Sequence, residues 1–448
     1  MAPVISTVVD KVLPARLGRG FRWLVASSWT SNLGDGIAVA AGPLLVASLT
    51  DNAFLVSLAA LLRWAPPLVF GLYAGVLSDR LDRRRIVMAA DGLRAVVLCV
   101  LIALLAVDRL PVAAALAALG LLTIAEVFAD NAASTLSPML VGRDDLVLAN
   151  ARLQAGYLTL NQLVGPPLGA VLFAAGLVWP FAAEAVLVTA GVLLVSRLAL
   201  PGTTRPATEA PGNVRHAVME GLRWTVRHPA VRTLSLTILI FNVTFGAAWS
   251  VLVLYAQQRL GLDAVGFGLF TTVGAAGGLL GTGLYGRLTR HVSLGNVMRA
   301  GLIIETLTHL ALAVTTSAWF ASAIMFVFGA HAFIWGTTSI TVRQRAVPEH
   351  LQGRVGSVNT ISVFGGLVAG SVIGGLLATH VGVTAPFWFA FAGSALFVVL
   401  LWRELTRIAH ADERHAPPEP EIAHADGRPA PAEDEQPTPP GEGRRATA

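Results

Sequence analysis

The chain has 448 residues, 54% of them hydrophobic and 13% charged, far below the roughly 25% charge of soluble domains, and so reads as a polytopic membrane protein. A single cysteine, Cys99, excludes a disulfide framework and any cysteine-based metal site. The net charge of +5 comes from arginines spread over many short loops rather than along one face, which points to membrane topology and away from nucleic acid.

Met1 to Gly20 carry neither an apolar core nor a small-residue cleavage site, so no cleavable signal is expected and the first helix would itself direct insertion. Beyond them, apolar runs give about twelve spans, near residues 22–48, 53–78, 86–107, 110–134, 153–175, 178–198, 232–256, 266–286, 294–315, 318–341, 355–378 and 384–402. Each approaches the roughly 20 residues a helix needs to cross a bilayer. Helices are the only reading, because lipid offers backbone groups no partner and the alternation of a membrane barrel is absent. The expected fold class is therefore an all-α membrane protein, built as an amino-terminal segment (1–20), a six-helix bundle (21–198), a cytoplasmic linker (199–230), a second six-helix bundle (231–408) and a tail (409–448).

Alternate loops hold Lys11, Arg16, Arg19, Arg22, Arg80, Arg83 to Arg85, Arg143, Arg152, the linker arginines, Arg287, Arg290, Arg343, Arg345 and Arg354; the opposite loops hold only Arg109 and Arg259. The positive-inside rule then puts both termini in the cytoplasm of a cell with this protein in its inner or plasma membrane.

Ionisable groups inside spans are costly and so are functional candidates. Asp35 in span 1 and Arg63 in span 2 lie at nearly matching depths, about 20 Å from the inner end and about 15 Å from the outer end respectively. They are expected to face a central cavity and interact, either on a substrate or proton pathway or as a purely structural pair. Between spans 2 and 3 runs a burst of charge, Gly75-Val-Leu-Ser-Asp-Arg-Leu-Asp-Arg-Arg-Arg85. Asp91 and Arg94 follow near the inner surface, and with Gly75, Asp79, Arg80 and Arg83 they are expected to form a cytoplasmic gate, an ion-pair cluster made in one conformation and broken in another. Inert anchoring by snorkelling arginines is the alternative. In span 4, Glu126 and Asp130 stand one turn apart on one face. Two acids this close do not easily both ionise in a low-dielectric site, the property a proton carrier needs; pairing with loop arginines is the plainer reading.

Gly156 and Gly165-Pro166-Pro167-Leu168-Gly169 thin and bend span 5. The linker segment from Val214 to Arg227 has helical amphipathicity and is expected to rest on lipid headgroups. The halves echo one another: Arg80-Leu-Asp-Arg83 recurs as Arg287-Leu-Thr-Arg290, and the Gly165/Gly169 pair as Gly370/Gly374. Polar groups at depth, among them Asn161, Glu184, Glu305, His309 and His331, read individually as satisfied interhelical hydrogen bonds. After Arg407 the composition turns to Pro, Ala, Glu, His and Gly, which reads as a disordered cytoplasmic tail.

With these residues laid out, the Gly75–Arg85 burst resembles motif A of the major facilitator superfamily, and Gly156 with Gly165-Pro166-x-x-Gly169 resembles the antiporter motif of its drug exporters. The finer pattern of Gly34-Asp35, Ala90-Asp91-x-x-Arg94, Ala125-Glu126-x-x-x-Asp130 and Gly221-Leu-Arg-Trp224 is similar to the subgroup of enterobactin exporters and macrolide efflux pumps. The resemblance implies proton-driven export of small, amphipathic molecules such as drugs, antibiotics or siderophores, with Asp79 holding the cytoplasmic gate against the start of helix 11. Two departures stand: Asp82 where many motif A sequences have glycine, and no arginine in span 4. An importer of the same fold is the competing reading. A membrane enzyme lacks support, since neither a nucleophile elbow nor a phosphate loop occurs. The expected protein is thus not an enzyme, uses no cofactor or metal beyond a proton gradient, and works as a monomer whose partners are the bilayer, protons and a small-molecule substrate.

Overall fold

A computed structural model describes residues 14–198 and 214–405. The expected tail and most of the amino-terminal segment lie outside the described residues. Those described are helical with no strand. Twelve helices correspond to the expected spans: α1 Gly18–Leu49, α2 Ala53–Arg80, α3 Arg83–Ala106, α4 Val112–Ser134, α5 Arg143–Ala175, α6 Trp179–Ser196, α7 Pro229–Trp249, α8 Ala264–His291, α9 Leu294–Val314, α10 Ala318–Ala346, α11 Gln352–His380 and α12 Ala385–Leu401. Eleven are long and apolar enough to cross a bilayer and α12 is shorter. Their outward faces are apolar too, with Val96, Val100, Leu193, Val399 and Leu400 more than half exposed. Hydrocarbon, not water, is the solvent such surfaces fit.

Short polar residues set the reversals. Asn52 accepts hydrogen bonds from the Phe54 and Leu55 amides, Asp82 from Arg85, Asp263 from Gly266 and Ser317 from Phe320, each satisfying donors that a helix start leaves free. In α5 a π-helical stretch, Tyr157–Val164, precedes Pro166 and Pro167, which cannot donate to the preceding turn.

The two halves repeat one packing scheme. In the first, α1 packs on α5 and α6, α2 on α4, and α3 on α4 and α6; in the second, α7 packs on α11 and α12, α8 on α10, and α9 on α10 and α12. Even a detail recurs: the Arg84 guanidinium bonds the Ser196 and Leu198 carbonyls at the end of α6, and Arg299 of α9 bonds the Trp402 carbonyl just past α12, at 2.9 Å and 2.6 Å.

Two seams join the halves, α2 with α11 and α5 with α8. Both are tight at the end opposite the arginine-rich loops. There the Phe54 amide donates to Thr379 Oγ1 at 3.0 Å, and a side-chain carbon on Gly375 would come within 2.0 Å of Ser57 Oγ. One on Gly268 would come within 2.4 Å of the Ala170 methyl. At the basic end the seam parts: Gly71 and Gly75 of α2, and Gly353 and Gly356 of α11, face open space. The molecule is closed at one end and open at the basic one.

The linker helix, Val214–Arg227, departs from the expectation of a helix resting on lipid alone. It packs on the start of α11, where Gly221 lies against the Arg354 backbone, Thr225 is buried, and Glu220 pairs with Arg354. A narrower apolar strip, Met219, Leu222 and Val226, is left outward.

Glycines let α8 and α10 meet backbone to backbone: a side-chain carbon on Gly277 would stand 1.9 Å from the Phe326 carbonyl oxygen. Gly277→Ala is therefore expected to destabilise the protein by about 1–3 kcal/mol through overpacking. Gly283→Ala on the same helix, which meets nothing within 4 Å, should leave the melting temperature of the purified protein unchanged. Equal melting temperatures for the two variants would contradict this packing.

Candidate functional site

Close approach of helices builds the site around Asp35. A side-chain carbon on Gly36 would come within 2.7 Å of the Asn161 backbone of α5, and one on Gly191 of α6 within 2.8 Å of Ser31 Oγ on α1. Closing α1 onto α5 and α6 brings Asp35 and Glu184 together against α3, where Asp91 and Arg94 lie one turn apart on the same face. Arg94 bonds Asp35 directly, Asp91 at 3.2 Å and Glu184 at 3.4 Å. All four are buried, Arg94 and Asp91 at 3%, Glu184 at 1% and Asp35 at 7% exposure. Arg94 Nε and one Glu184 carboxylate oxygen have no hydrogen-bond partner among the described residues. One guanidinium thus faces three carboxylates in a site with little water, and it neutralises only one. The remaining negative charge is tolerable there only if protons or other cations share it.

This cluster forms one wall of a central cavity of about 200 Å³ between the halves. Arg63, Trp64 and Glu126 line it from the first half, and Trp249, Phe267 and Thr271 from the second. The Arg63 guanidinium lies 5.4 Å from the centre of the Trp64 ring, a cation–π distance. A second cavity of about 490 Å³ opens at the basic end between α2, α4 and α11, lined by Gly71, Asn131, Gly356 and Phe364. Asp130 lies on its wall, whereas Glu126, one turn deeper, lies on the wall of the central cavity. The two acids of α4 therefore span the distance from an open vestibule to an enclosed centre.

Several expectations are redrawn by this geometry. Asp35 pairs with Arg94, not with Arg63. Both line the central cavity, but matching depth along two helices does not make a pair: Arg63 lies over the Trp64 ring, whereas Asp35 bonds Arg94 of α3. The expected gate cluster is divided. Asp79 pairs with Arg83 at 3.7 Å and is 73% exposed, Gly75 faces open space, and Arg80 is exposed nearby. Asp91 and Arg94 lie two to three turns deeper, because α3 starts at Arg83 and rises about 1.5 Å per residue. The glycines of α5 act on α1: Gly156 seats the Trp29 indole, whose nitrogen donates to the Arg152 carbonyl, and Gly165 and Gly169 meet the Gly36 and Ile37 backbones. Pro166 packs beside Gly268 of α8. Glu184, expected to make an ordinary interhelical hydrogen bond, completes the Arg94 cluster; its signal in the sequence is that it is the one ionisable residue within α6.

The profile of a family described as transmembrane secretion effectors matches residues 14–426. The multidrug efflux pump Tap of Mycolicibacterium fortuitum is 30% identical over 392 residues, covering 81% of this chain and 90% of that protein. The enterobactin exporter EntS of Salmonella typhimurium is 25% identical over 419 residues, covering 89% and 94%. Macrolide efflux protein A of Streptococcus pyogenes is 23% identical over 371 residues, covering 79% and 87%. Among solved structures, a bacterial homologue of the iron transporter ferroportin in an inward-facing state superposes with a TM-score of 0.68 at 17% identity, over 87% of this chain and 98% of that one. A bacterial homologue of the lysosomal transporter Spinster, inward-facing and unoccupied, gives 0.64 at 14% identity over 90% and 98%. At such identities the likeness speaks for the fold.

Arg94→Ala leaves three buried carboxylates without their cation, and removing one partner of a buried pair costs about 3–5 kcal/mol. The variant is expected to melt well below the wild type or to fail to accumulate, while Arg63→Ala, whose side chain faces a cavity, keeps the wild-type melting temperature. A well-folded Arg94→Ala protein would contradict the role given to Arg94.

Proposed function

Because the chain belongs to the transmembrane secretion effectors of the major facilitator superfamily, we propose that it exports small amphipathic molecules against an inward flow of protons, by alternating access. The observation that carries this reading is the ladder of acids from Asp130 in the basic-end vestibule, through Glu126, to the over-acidic Arg94 cluster on the central cavity.

The basic end faces the cytoplasm in this reading, by the positive-inside rule. A substrate enters through the vestibule between α2 and α11 and settles in the cavity, with its apolar part on Trp64, Trp249 and Phe267. Protons leave for the cytoplasm by way of Glu126 and Asp130 as it binds. The vestibule then closes, with Asp79 swinging from its exposed position onto the start of α11, where free backbone N–H groups attract an anion. The opposite end opens, the substrate leaves, and protons from outside neutralise the carboxylates so that the empty carrier can return. Without substrate to cover it, an unneutralised cluster cannot be sealed from water cheaply, so the empty carrier returns only when protonated, and this couples proton to substrate. Efflux relatives and the paired small-residue contacts of α5 with α1 support export over import. The carrier works alone, as a monomer, and catalyses no chemical reaction; its energy source is the proton gradient.

Inverted membrane vesicles given radiolabelled erythromycin or ethidium, with and without an imposed proton gradient, test the proposal. The wild type should accumulate at least one of the two when the lumen is acid and lose that accumulation when the gradient is collapsed. Glu126→Gln should lower gradient-driven accumulation by about tenfold or more while still exchanging substrate down its own gradient. Gradient-driven transport of normal size in this variant would remove Glu126 from the pathway.

A further inference from the structure

The second half holds a buried polar centre of its own. Glu305 and His309 lie one turn apart on α9, and α10 brings His331 to the same carboxylate, with His331 Nε2 at 3.7 Å and His309 Nε2 at 4.0 Å from its oxygens. These separations exceed hydrogen-bond length. His309 is 0% exposed, and neither of its ring nitrogens has a hydrogen-bond partner among the described residues. The same holds for His331 Nδ1 and Trp335 Nε1. Orphaned buried polar atoms are rare and call for an explanation.

The repeat supplies one. Glu305 stands eleven residues after Leu294, which opens α9, as Arg94 stands eleven after Arg83, which opens α3. His331 is thirteen residues into α10 and Glu126 fourteen into α4. The two centres thus occupy matching levels of matching helices with the charges exchanged: a cation among acids in the first half, an acid among bases in the second. Aromatic rings separate this centre from the central cavity. Trp249, which lines the cavity, stands edge-on to His309 with ring centres 6.0 Å apart, and Phe328 stands edge-on to His331 at 5.8 Å. Trp249 also packs on Phe328 at 4.7 Å and stacks on Phe245 at 4.4 Å.

The space admits little. A side chain on Gly301 would come within 2.7 Å of Trp335 and 3.0 Å of His331 Nδ1. No His, Cys, Asp and Glu grouping among the described residues is arranged to hold a metal ion. The other charges on the packed helices lie toward the basic end: α7 contributes Arg232, near its start, α12 none, α8 Arg287, Arg290 and His291 at its end, α9 Arg299, which bonds the Trp402 carbonyl, and α10 Arg343 and Arg345, about three turns beyond His331. We propose that Glu305, His309 and His331 form a second proton-binding site. When the Trp249 ring turns aside, a hydronium from the cavity gives its proton to an imidazole nitrogen: the N–H bond forms as the hydronium O–H bond breaks, leaving water and an imidazolium next to the Glu305 carboxylate. It leaves by the reverse step. The site's use in a transport cycle rests on the proton-driven reading above; its protonation does not.

The test uses the full chain, labelled with ¹⁵N-histidine and placed in lipid nanodiscs, with nitrogen resonances followed against pH in the wild type and in His309→Gln, His331→Gln and Glu305→Gln. The signals lost in the two histidine variants should interconvert reversibly between neutral and imidazolium forms as the pH is lowered within the range where the protein stays folded. Glu305→Gln should weaken proton binding at them by about tenfold or more. Histidines fixed in one neutral form at every pH where the protein stays folded, an unaltered response in Glu305→Gln, or resonances that shift on adding zinc in place of protons would each overturn the site. Should His309→Gln not fold, His331→Gln gives the assignment from the other helix. Vesicle transport of erythromycin in parallel keeps the two readings apart. Titrating histidines in a protein without gradient-driven transport uphold the site and refute the proton-driven reading.

Discussion

A guanidinium that must answer three carboxylates, out of reach of bulk water, is the constraint on which the first half is built. Arg94 could neutralise one acid at low cost. With Asp35, Asp91 and Glu184 all directed at it, the site is left with negative charge that only a transferable cation can balance. A well-packed apolar core would hold these three helices together at least as firmly. Retaining the ions here makes the stability of the closed bundle depend on what is bound, and a carrier needs that dependence.

The surrounding fold puts this dependence to use. Gly36 lets α5, and Gly191 lets α6, come close to α1, so the carboxylates cannot drift apart to relieve their repulsion. The seams between halves are closed at one end by contacts such as Phe54 with Thr379 and Gly375 with Ser57, and part at the other. A rigid charged centre beside seams closed at one end favours rocking of one half on the other over deformation within either. The repeat deepens the point, since α3 and α9 carry opposite charges at the same level.

Much of this was legible in the sequence, and the boundary has a physical origin. Hydropathy reports depth, so the spans, the polarity of their loops and the isolation of Asp35, Arg63, Glu126 and Asp130 could all be read along the chain. It does not report azimuth. Asp35 and Arg63 shared a depth but face different neighbours, and only helix packing shows that Asp35 meets Arg94. The neighbouring charged loop suggests a surface position for Asp91 and Arg94, although the helix that carries them starts early enough to bury both. Glu184, Glu305, His309 and His331 looked ordinary one by one; their meaning lies in which helices converge.

The central claim is that protonation of the buried acids governs which end of the molecule is open. Spin labels at Leu72 and Ile361, across the basic-end vestibule, report it directly once the exposed Cys99 is replaced by alanine. Acidification should lengthen the distance between the labels as the protonated, empty carrier returns to the state open at the basic end, and Glu126→Gln should blunt that response. A distance indifferent to pH, or a response unchanged in Glu126→Gln, would contradict the account.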